Sequence, residues 1–187
     1  MAAPRKIKTP LTEEVITSLH AGDMVLLSGE VYTARDVAHR RLYEALTKGE
    51  ALPIDLPNAV LFYAAPTRTP PKKVVGSIGP TTSYRMDFFT PKLIENGLRG
   101  MIGKGNRSLE VVEAIKQNKA IYFGAIGGIA ALMSQCVKKM ALIAYEDLGP
   151  EAIRKLTIVD LPLVVINDFQ GNDLYLSEQN KWRIRGC

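Results

Sequence analysis

The chain is poor in the residues that form disulfides and hold metals. Its 187 residues include two cysteines, Cys136 in an apolar stretch and Cys187 at the last position, and two histidines. Two cysteines so placed do not form a disulfide framework, and they are typical of a protein in the reducing cytoplasm. They are also too few to supply the ligands of an iron–sulfur cluster. The composition therefore predicts a cytoplasmic protein whose own side chains hold no metal.

Charge of one sign is not concentrated in any segment. The formal net charge is +5, and the basic residues are scattered in small groups such as Lys72-Lys73 and Lys138-Lys139. Neither paired zinc ligands nor an aromatic-rich RNA-binding strand accompanies them. We interpret them as a solvated basic surface and expect no nucleic-acid partner. A basic patch that attracts an anionic substrate stays open as the functional alternative.

Long hydrophobic runs are also scarce. Residues 120–137 carry no charge over 18 positions, close to the roughly 20 apolar residues that a membrane span needs. Because Gly124, Gly127 and Gly128 interrupt this stretch, it favours a buried strand, a glycine turn and an apolar helix. The first eight residues lack the apolar core of a secretory signal, so residues 1–10 are expected to form a short flexible arm.

We expect the remaining chain, residues 11–187, to form one domain. Hydrophobic residues make up 47% and charged residues 23%, as in ordinary globular proteins. Short β-branched runs alternate with amphipathic stretches, which predicts an α/β or mixed α+β fold class. Strands are predicted over 24–27, 60–64, 74–78, 100–102, 121–123, 142–145 and 163–166. Thr33 is expected to cap the first strong helix, which Gly49 ends, and further helices are predicted over 90–97, 108–117 and 150–156.

Hydroxyls and fixed cations follow three separate turns. The stretch Gly79-Pro80-Thr81-Thr82-Ser83-Tyr84-Arg85 sets two threonine hydroxyls and a guanidinium beside a Gly-Pro turn. Thr33-Ala34-Arg35-Asp36 and Lys104-Gly105-Asn106 have the same character. An arginine fork matches a carboxylate bidentately, through charge-assisted bonds. The three groups together predict a site for a small, doubly charged carboxylate, and the lack of accompanying metal ligands makes it look like half of a larger site.

Each of these residues taken singly also has a structural explanation. Arg35 opposes the helix dipole at a cost of about 0.3–1 kcal/mol, so it either pairs with a carboxylate such as Asp36 or binds an anion. His39 lies one turn further on the same face, where a lone histidine is more often a structural hydrogen-bonder than a base. Arg85 has Asp87 as a potential partner.

The remaining polar residues are open in the same way. Hydroxyls such as those of Thr81 and Thr82 routinely brace turns. Lys104 lies between two glycines, which would let a ligand approach closely. The stretch Gly100-Met101-Ile102-Gly103-Lys104-Gly105 is not a phosphate-binding loop, because two residues instead of four separate its first glycines and no hydroxyl residue follows the lysine.

The ordered series of motifs resembles the class I fumarate hydratase family, specifically its β subunit, which is equivalent to the C-terminal domain of single-chain forms. The L(+)-tartrate dehydratase β subunit is a close relative. The resemblance runs from about residue 10 to about residue 177. It is carried by Thr33-Ala34-Arg35-Asp36, Ala38-His39, Ile78-Gly79-Pro80-Thr81-Thr82, Arg85-Met86-Asp87 and Gly100-Met101-Ile102-Gly103-Lys104-Gly105. Tyr63-Ala64-Ala65-Pro66 departs from the pattern, which has a glycine before the proline.

The resemblance implies a swivelling β/β/α domain that closes over a partner α subunit. That partner carries a four-iron four-sulfur cluster held by three cysteines, which would explain the missing ligands here. The implied reaction is the reversible hydration of fumarate to (S)-malate, with L-tartrate dehydration as the runner-up. Paired αβ units are expected. A stand-alone dicarboxylate-binding module is the alternative of another class.

Site roles follow by resemblance, residue by residue. Arg35 and Arg85 match the arginines that hold substrate carboxylates, and Thr82 is expected to bind substrate beside them. Thr81 matches the threonine that serves as catalytic base in the family, and Lys104 matches the lysine next to it. His39 and Asp36 are assigned supporting roles.

Overall fold

The computed structural model describes residues 3–183, in which strands and helices alternate. The strands are β1 (Arg5–Lys8), β2 (Met24–Thr33), β3 (Val60–Phe62), β4 (Gly100–Gly103), β5 (Ile121–Gly124), β6 (Val137–Ala144) and β7 (Ile153–Asn167). The α-helices are α1 (Glu13–Thr17), α2 (Asp36–Lys48), α3 (Thr90–Glu95), α4 (Leu109–Asn118), α5 (Ala130–Met133) and α6 (Leu174–Trp182). Short 3₁₀ turns cover Ser83–Met86, Ser134–Cys136 and Glu146–Glu151. The mixed α/β class expected from the sequence is confirmed.

The strands form one sheet that closes on itself. β2, β3, β4 and β5 run parallel in that order, and β1 pairs in parallel with β2. β7 runs antiparallel and pairs with β5, β2 and β6. Because β7 bonds to both β2 and β5, the four parallel strands β2 to β5 and the antiparallel strand β7 form a closed ring of five strands. The carboxyl ends of the four parallel strands therefore lie along one edge of that ring.

Alternation along the strands separates two hydrophobic cores. Val60 and Phe62 of β3 point into a cluster lined by the ring strands, so this cluster fills the ring. Leu61 and Tyr63 point the other way, into a cluster that includes residues of α2, α3 and α4. This period of two is the usual consequence of the pleat. The helices that carry the polar motifs are thus packed on the outer face of the ring.

Several local predictions are confirmed. Gly49 ends α2 in the left-handed conformation with φ of 71°, as a C-terminal glycine cap does. The Ser108 hydroxyl accepts the Val111 N–H at the start of α4. Residues 120–137 form β5, a glycine-containing turn, α5 and a 3₁₀ turn. In the described range no helix combines the length and apolar character needed to cross a membrane.

Three predictions are wrong. Arg5–Lys8 is not a flexible arm, because its backbone pairs with the edge of β2 even though Ile7 alone of the four side chains is buried. Residues 74–78 form no strand, since the Ser77 carbonyl accepts the Thr67 N–H of a loop and the Ile78 N–H donates to the Ala130 carbonyl at the start of α5. Residues 153–156 belong to strand β7 and not to the helix predicted over 150–156, because neighbouring strands take up their backbone groups, whereas the strand predicted over 163–166 lies within β7.

The start of α2 also differs from the expectation. Thr33 is the last residue of β2 and does not cap the helix. Its buried hydroxyl donates to the Ala152 carbonyl at 3.3 Å and accepts the Arg154 N–H at 3.0 Å. Arg35 occupies the N-cap position without a capping side-chain bond. Cross-strand partners thus compete successfully for the threonine, and the arginine is left facing the open edge.

Candidate active site

The polar motifs converge because of the strand order. Arg35 follows β2, the stretch 79–87 follows β3, and Lys104 follows β4, while Gly127 lies in the turn after β5. These four strands run parallel and neighbour one another. In open and closed α/β sheets, ligands commonly bind at the carboxyl ends of parallel strands. The three groups that the sequence singled out are therefore brought to one edge.

Two arginines share one carboxylate at this edge. Arg85 Nε lies 2.8 Å from Asp36 Oδ1, and Arg35 Nη2 lies 3.6 Å from Asp36 Oδ2. The side chains of Arg35 and Arg85 are 24% and 44% exposed, so both reach solvent. A guanidinium has five N–H donors, and Asp36 uses only part of this capacity. Arg35 thus both pairs with a carboxylate and keeps donors for an anion.

Glu151 completes the arginine group and was missed by sequence reasoning. Its Oε1 lies 3.4 Å from Arg35 Nη2, and its side chain is 26% exposed. The residue sits at the end of the 3₁₀ turn before β7, in a segment that the sequence indicated as helical. No local motif marks it, because the contact depends on β7 returning beside β2. The sequence signal available for Glu151 is a carboxylate that directly follows Pro150.

The threonine stretch is bonded to the Lys104 segment through the backbone. Thr82 and Lys104 form a parallel bridge. The Thr81 N–H donates to the Tyr63 carbonyl at 2.6 Å, and the Lys104 N–H reaches the Thr81 carbonyl at 3.3 Å. Thr81 and Thr82 are partly exposed and the Lys104 side chain is exposed. The arrangement leaves their side-chain groups available at the edge.

The Lys104 ammonium extends towards the turn after β5. A Cβ placed on Gly127 would lie 3.8 Å from Lys104 Nζ. Among residues 3–183, no carboxylate forms an ion pair with this ammonium. Among the described residues the site thus contains a cation without an internal counter-ion, and Gly127, the part of the turn nearest the ammonium, has no side chain.

A buried ion pair lies directly behind the edge. Arg107 is fully buried and its Nε lies 2.8 Å from Asp87 Oδ1. Its Nη2 donates to Thr90 Oγ1 at 3.0 Å, and its guanidinium carbon lies 5.3 Å from the Tyr63 ring centroid and 4.9 Å from that of Tyr122. The sequence left Asp87 open as a partner of Arg85, but Asp87 pairs with Arg107 instead. Sequence reasoning did not single out Arg107, which follows Asn106 in the Lys104 motif.

His39 lies beneath Arg35 and away from the open edge. It is fully buried, and its Nδ1 donates to the Arg35 carbonyl at 3.0 Å while its ring meets Tyr63 edge-on at 4.8 Å. Burial lowers the pKa of His39 to about 4, so the imidazole is neutral at neutral pH. Its Nε2 is buried without a hydrogen-bond partner in the described structure. This position suits support of the Arg35 backbone better than exchange of a proton with a ligand at the edge.

The described residues do not fit an iron–sulfur cluster. Within 3–183, no three His, Cys, Asp or Glu side chains come together as metal ligands. Cys136 is half-buried on a 3₁₀ turn, with its Sγ 3.8 Å from the Asp160 carbonyl. Cys187 lies outside the described residues. The cluster implied by the resemblance therefore has no set of ligands in this part of the chain.

The closed sheet with a cationic edge defines a mixed α/β domain, and comparison with known proteins assigns it to a family. The chain belongs to the family described as Fumarase C-terminus, whose model matches residues 4–178.

Individual relatives fall into two groups by length. The chain is 38% identical over 156 residues to the aerobic class I fumarate hydratase of Salmonella typhimurium, covering 82% of this chain and 27% of that protein. It is 35% identical over 173 residues to fumarate hydratase 2 of Leishmania major, covering 90% of this chain and 30% of that protein. It is also 36% identical over 177 residues to the putative L(+)-tartrate dehydratase subunit beta of Methanocaldococcus jannaschii, covering 91% and 90% respectively. The chain thus spans less than a third of the two fumarate hydratases and nearly all of the subunit.

Proposed function

We propose that this chain is the β subunit of an iron–sulfur hydro-lyase that reversibly hydrates fumarate to (S)-malate. The active site would be shared with an α subunit that holds the four-iron four-sulfur cluster. The observation that carries the proposal is the open edge on which Arg35, Arg85, Thr81 and Lys104 meet without metal ligands among the described residues. Family membership over residues 4–178 supports it.

The arginines are proposed to bind the substrate carboxylates. Asp36 holds the two guanidiniums side by side, and each retains free N–H donors. Two carboxylates joined by a two-carbon unit are the common feature of fumarate, malate and tartrate. Bidentate pairing with arginine would orient such a substrate as well as hold it. Thr82, bridged to Lys104, is proposed to contribute a further polar contact.

Thr81 is proposed to exchange the carbon-bound proton. In the dehydration direction Thr81, after passing its hydroxyl proton to a carboxylate, accepts the proton from the carbon next to the hydroxyl-bearing carbon, and in hydration it returns that proton. Departure of the hydroxide from the neighbouring carbon would need the Lewis acid that the partner's cluster supplies when bound. A threonine hydroxyl is a weak base by itself, so it needs a cation and a carboxylate nearby to lose its proton. The Lys104 ammonium on the adjacent segment would serve as the cation. The carboxylate would come from the partner.

Two observations support a partner over this edge. The chain spans 90% of a relative named as a subunit and only 27% of one class I fumarate hydratase, so it corresponds to a part of the larger proteins. Tyr84 and Phe88, on either side of Arg85, are 66% and 75% exposed. Exposed apolar side chains beside a polar site commonly mark a protein interface. A cytoplasmic location belongs to the same proposal.

Anaerobic reconstitution tests the proposal. The chain, the cluster-bearing partner and their mixture are each assayed with fumarate and (S)-malate. Turnover in the mixture alone is expected. Thr81→Ala should abolish turnover without preventing assembly, whereas Thr81→Ser keeps a hydroxyl and should retain measurable turnover. A kcat near the wild-type value in Thr81→Ala would rule out the proposed role of Thr81.

L(+)-tartrate dehydration is the second candidate. It is favoured by the relative from Methanocaldococcus jannaschii, which resembles this chain over nearly its whole length. Malate and L-tartrate differ by one hydroxyl group, and selectivity for a hydroxyl needs a dedicated polar partner in the protein. Comparing kcat/KM for (S)-malate, fumarate and L-tartrate in the same reconstituted complex decides between them.

A stand-alone dicarboxylate-binding module makes different predictions. The isolated chain would then be a stable monomer that binds malate or fumarate tightly in calorimetry. The β-subunit proposal expects weak binding by the isolated chain and a complex with the partner in solution. Tight binding by the monomer, together with failure to associate, would favour the module.

A further inference from the structure

We propose that Ser83 and Tyr122 are positioning residues that fix Lys104 in the active site. The inference rests on the proposed function, because it takes Lys104 as part of the catalytic edge. Neither Ser83 nor Tyr122 reaches solvent, so neither can touch a substrate at the edge. Ser83 bonds to the backbone of Lys104 itself, and Tyr122 bonds to the carbonyl of the next residue, Gly105.

These hydrogen bonds form a closed cycle, here called the hydrogen-bond ring, in which each donor and acceptor is defined. The Lys104 N–H donates to Ser83 Oγ at 3.1 Å, Ser83 Oγ lies 2.9 Å from the Tyr122 hydroxyl, and that hydroxyl donates to the Gly105 carbonyl at 2.9 Å. Because the single tyrosine proton goes to Gly105, Ser83 must donate to Tyr122. The Ser83 N–H also donates to the Lys104 carbonyl at 2.9 Å. The ring therefore holds the peptide groups before and after the Lys104 Cα.

The two glycines beside Lys104 serve this ring. A Cβ on Gly103 would clash with the Ser83 hydroxyl, so a glycine is needed for the serine to approach. Gly105 has φ of +81°, a left-handed conformation that brings its carbonyl back towards Tyr122. The sequence suggested that these glycines give access to a ligand. The structure assigns Gly103 to contact with Ser83 instead.

The ring is anchored at a second point. The Arg107 guanidinium lies over the Tyr122 ring, and its partner Asp87 ends the 3₁₀ turn that begins at Ser83. Displacing Tyr122 would therefore disturb both ends of the 3₁₀ turn that carries Arg85. A second buried tyrosine, Tyr63, provides a contrast, because its hydroxyl contacts Thr90 and Arg107 and not the Lys104 segment. It supplies a matched control.

Steady-state kinetics of the reconstituted complex test the proposal. Tyr122→Phe and Ser83→Ala are expected to lower kcat about 10- to 100-fold, the size of effect that a displacement of about 1 Å produces. KM should change much less, since Arg35 and Arg85 are proposed to hold the substrate. Tyr63→Phe removes a hydroxyl at similar depth and should keep kcat near the wild-type value. Equal losses in Tyr122→Phe and Tyr63→Phe would overturn the proposal.

A double-mutant cycle separates positioning from general loss of structure. If Tyr122 acts through Lys104, then adding Tyr122→Phe to Lys104→Met should cause little further loss of kcat. Residues that act as a unit are strongly non-additive. Two losses that multiply in the double variant would show that Tyr122 acts independently of Lys104, and would overturn the proposal.

Amide hydrogen exchange in the isolated chain gives a readout that needs no turnover. The Lys104 amide should exchange faster in Ser83→Ala and Tyr122→Phe than in the wild type or Tyr63→Phe. Unchanged exchange in both variants would overturn the ring as a positioning device. If the wild-type complex turns over none of fumarate, malate and tartrate, the proposed function has failed, and Lys104 exchange still decides whether Ser83 and Tyr122 fix this segment.

Discussion

Two arginine–carboxylate groups lie one behind the other in this protein, and they differ in burial. Arg107 and Asp87 are sealed behind the edge, with side chains 0% and 9% exposed. Arg35 and Arg85 meet Asp36 at the edge itself and remain partly exposed. The chemistry of the pairs is the same. Their surroundings decide whether the guanidinium holds the fold together or stays open to a ligand.

The difference lies in how many donors are occupied. Arg107 bonds to Asp87 and Thr90 and is covered by two tyrosine rings. Arg35 has its Nε buried without a partner in the described structure, and its two carboxylate contacts are longer than 3.3 Å. A buried pair resists separation because each charge alone would be costly in the interior. A half-exposed pair can exchange its partner at little cost.

The largest expected effect is on stability, from removing the buried arginine. Arg107→Met leaves Asp87 buried without its cation and should lower the free energy of unfolding by about 3–5 kcal/mol. Urea denaturation of the isolated chain measures it. Arg41→Met is the control, because Arg41 pairs with the exposed Asp147 and solvent-exposed pairs contribute little to stability. Similar losses in the two variants would remove the distinction between the buried and open arginines.

The open arginines should behave in the opposite way. Arg35→Ala and Arg85→Ala are expected to lower kcat/KM of the reconstituted complex about 100- to 1000-fold, which corresponds to about 2.7–4 kcal/mol. For Arg85→Ala, whose side chain is 44% exposed, the free energy of unfolding should change by less than about 1 kcal/mol. Arg41→Ala, in the same helix as Asp36, should leave turnover unchanged. Unaltered kcat/KM in both edge variants would argue against carboxylate binding there.

A third prediction uses His39, which lies between the two arginine groups. Burial lowers its pKa from 6.5 to about 4, so between these values the unfolded chain binds the extra proton. The free energy of unfolding should therefore fall as the pH drops from 6.5 to 4, by at most about 3 kcal/mol from this residue. Above pH 6.5 His39 contributes no pH dependence.

Urea titrations across this pH window check the His39 prediction. His39→Asn retains a donor near the Nδ1 position and should have a shallower pH dependence than the wild type. His20→Asn, at an exposed histidine, is the control variant. A His39→Asn curve parallel to that of the wild type would contradict a neutral, buried His39.

The smallest effect is expected at Phe88, one of the two exposed apolar side chains beside Arg85. Phe88→Asp should weaken association with the partner about tenfold, or about 1.4 kcal/mol, because it puts a charge into the proposed interface. Sedimentation or light scattering of the mixed subunits measures this. Leu142→Asp is the control, since Leu142 is exposed on β6, which pairs only with β7 in the described sheet. Equal weakening by both would place the interface elsewhere.

Much of the candidate site follows from short-range sequence signals. Gly79 and Gly105 mark turns, and the polar residues come directly after strand-like runs, which suffices to place them at one edge of a parallel sheet. The partners of those residues do not follow. Proximity in sequence indicates Asp87 as a partner of Arg85, yet Arg85 pairs with Asp36 at the start of α2. Glu151 and Tyr122 carry no local mark of their contacts.

The sequence by itself determines local features of this protein: where α2 ends and α4 begins, that the runs of β2 to β5 are strands, and which motifs carry hydroxyls and cations. These depend on backbone preferences and caps within a few residues. Only the tertiary structure decides that Arg107 is buried while Arg35 is open, that Thr33 bonds to β7, and that Gly103 accommodates Ser83. Burial and donor occupancy depend on segments distant in the chain. Such segments meet only when the ring of strands closes.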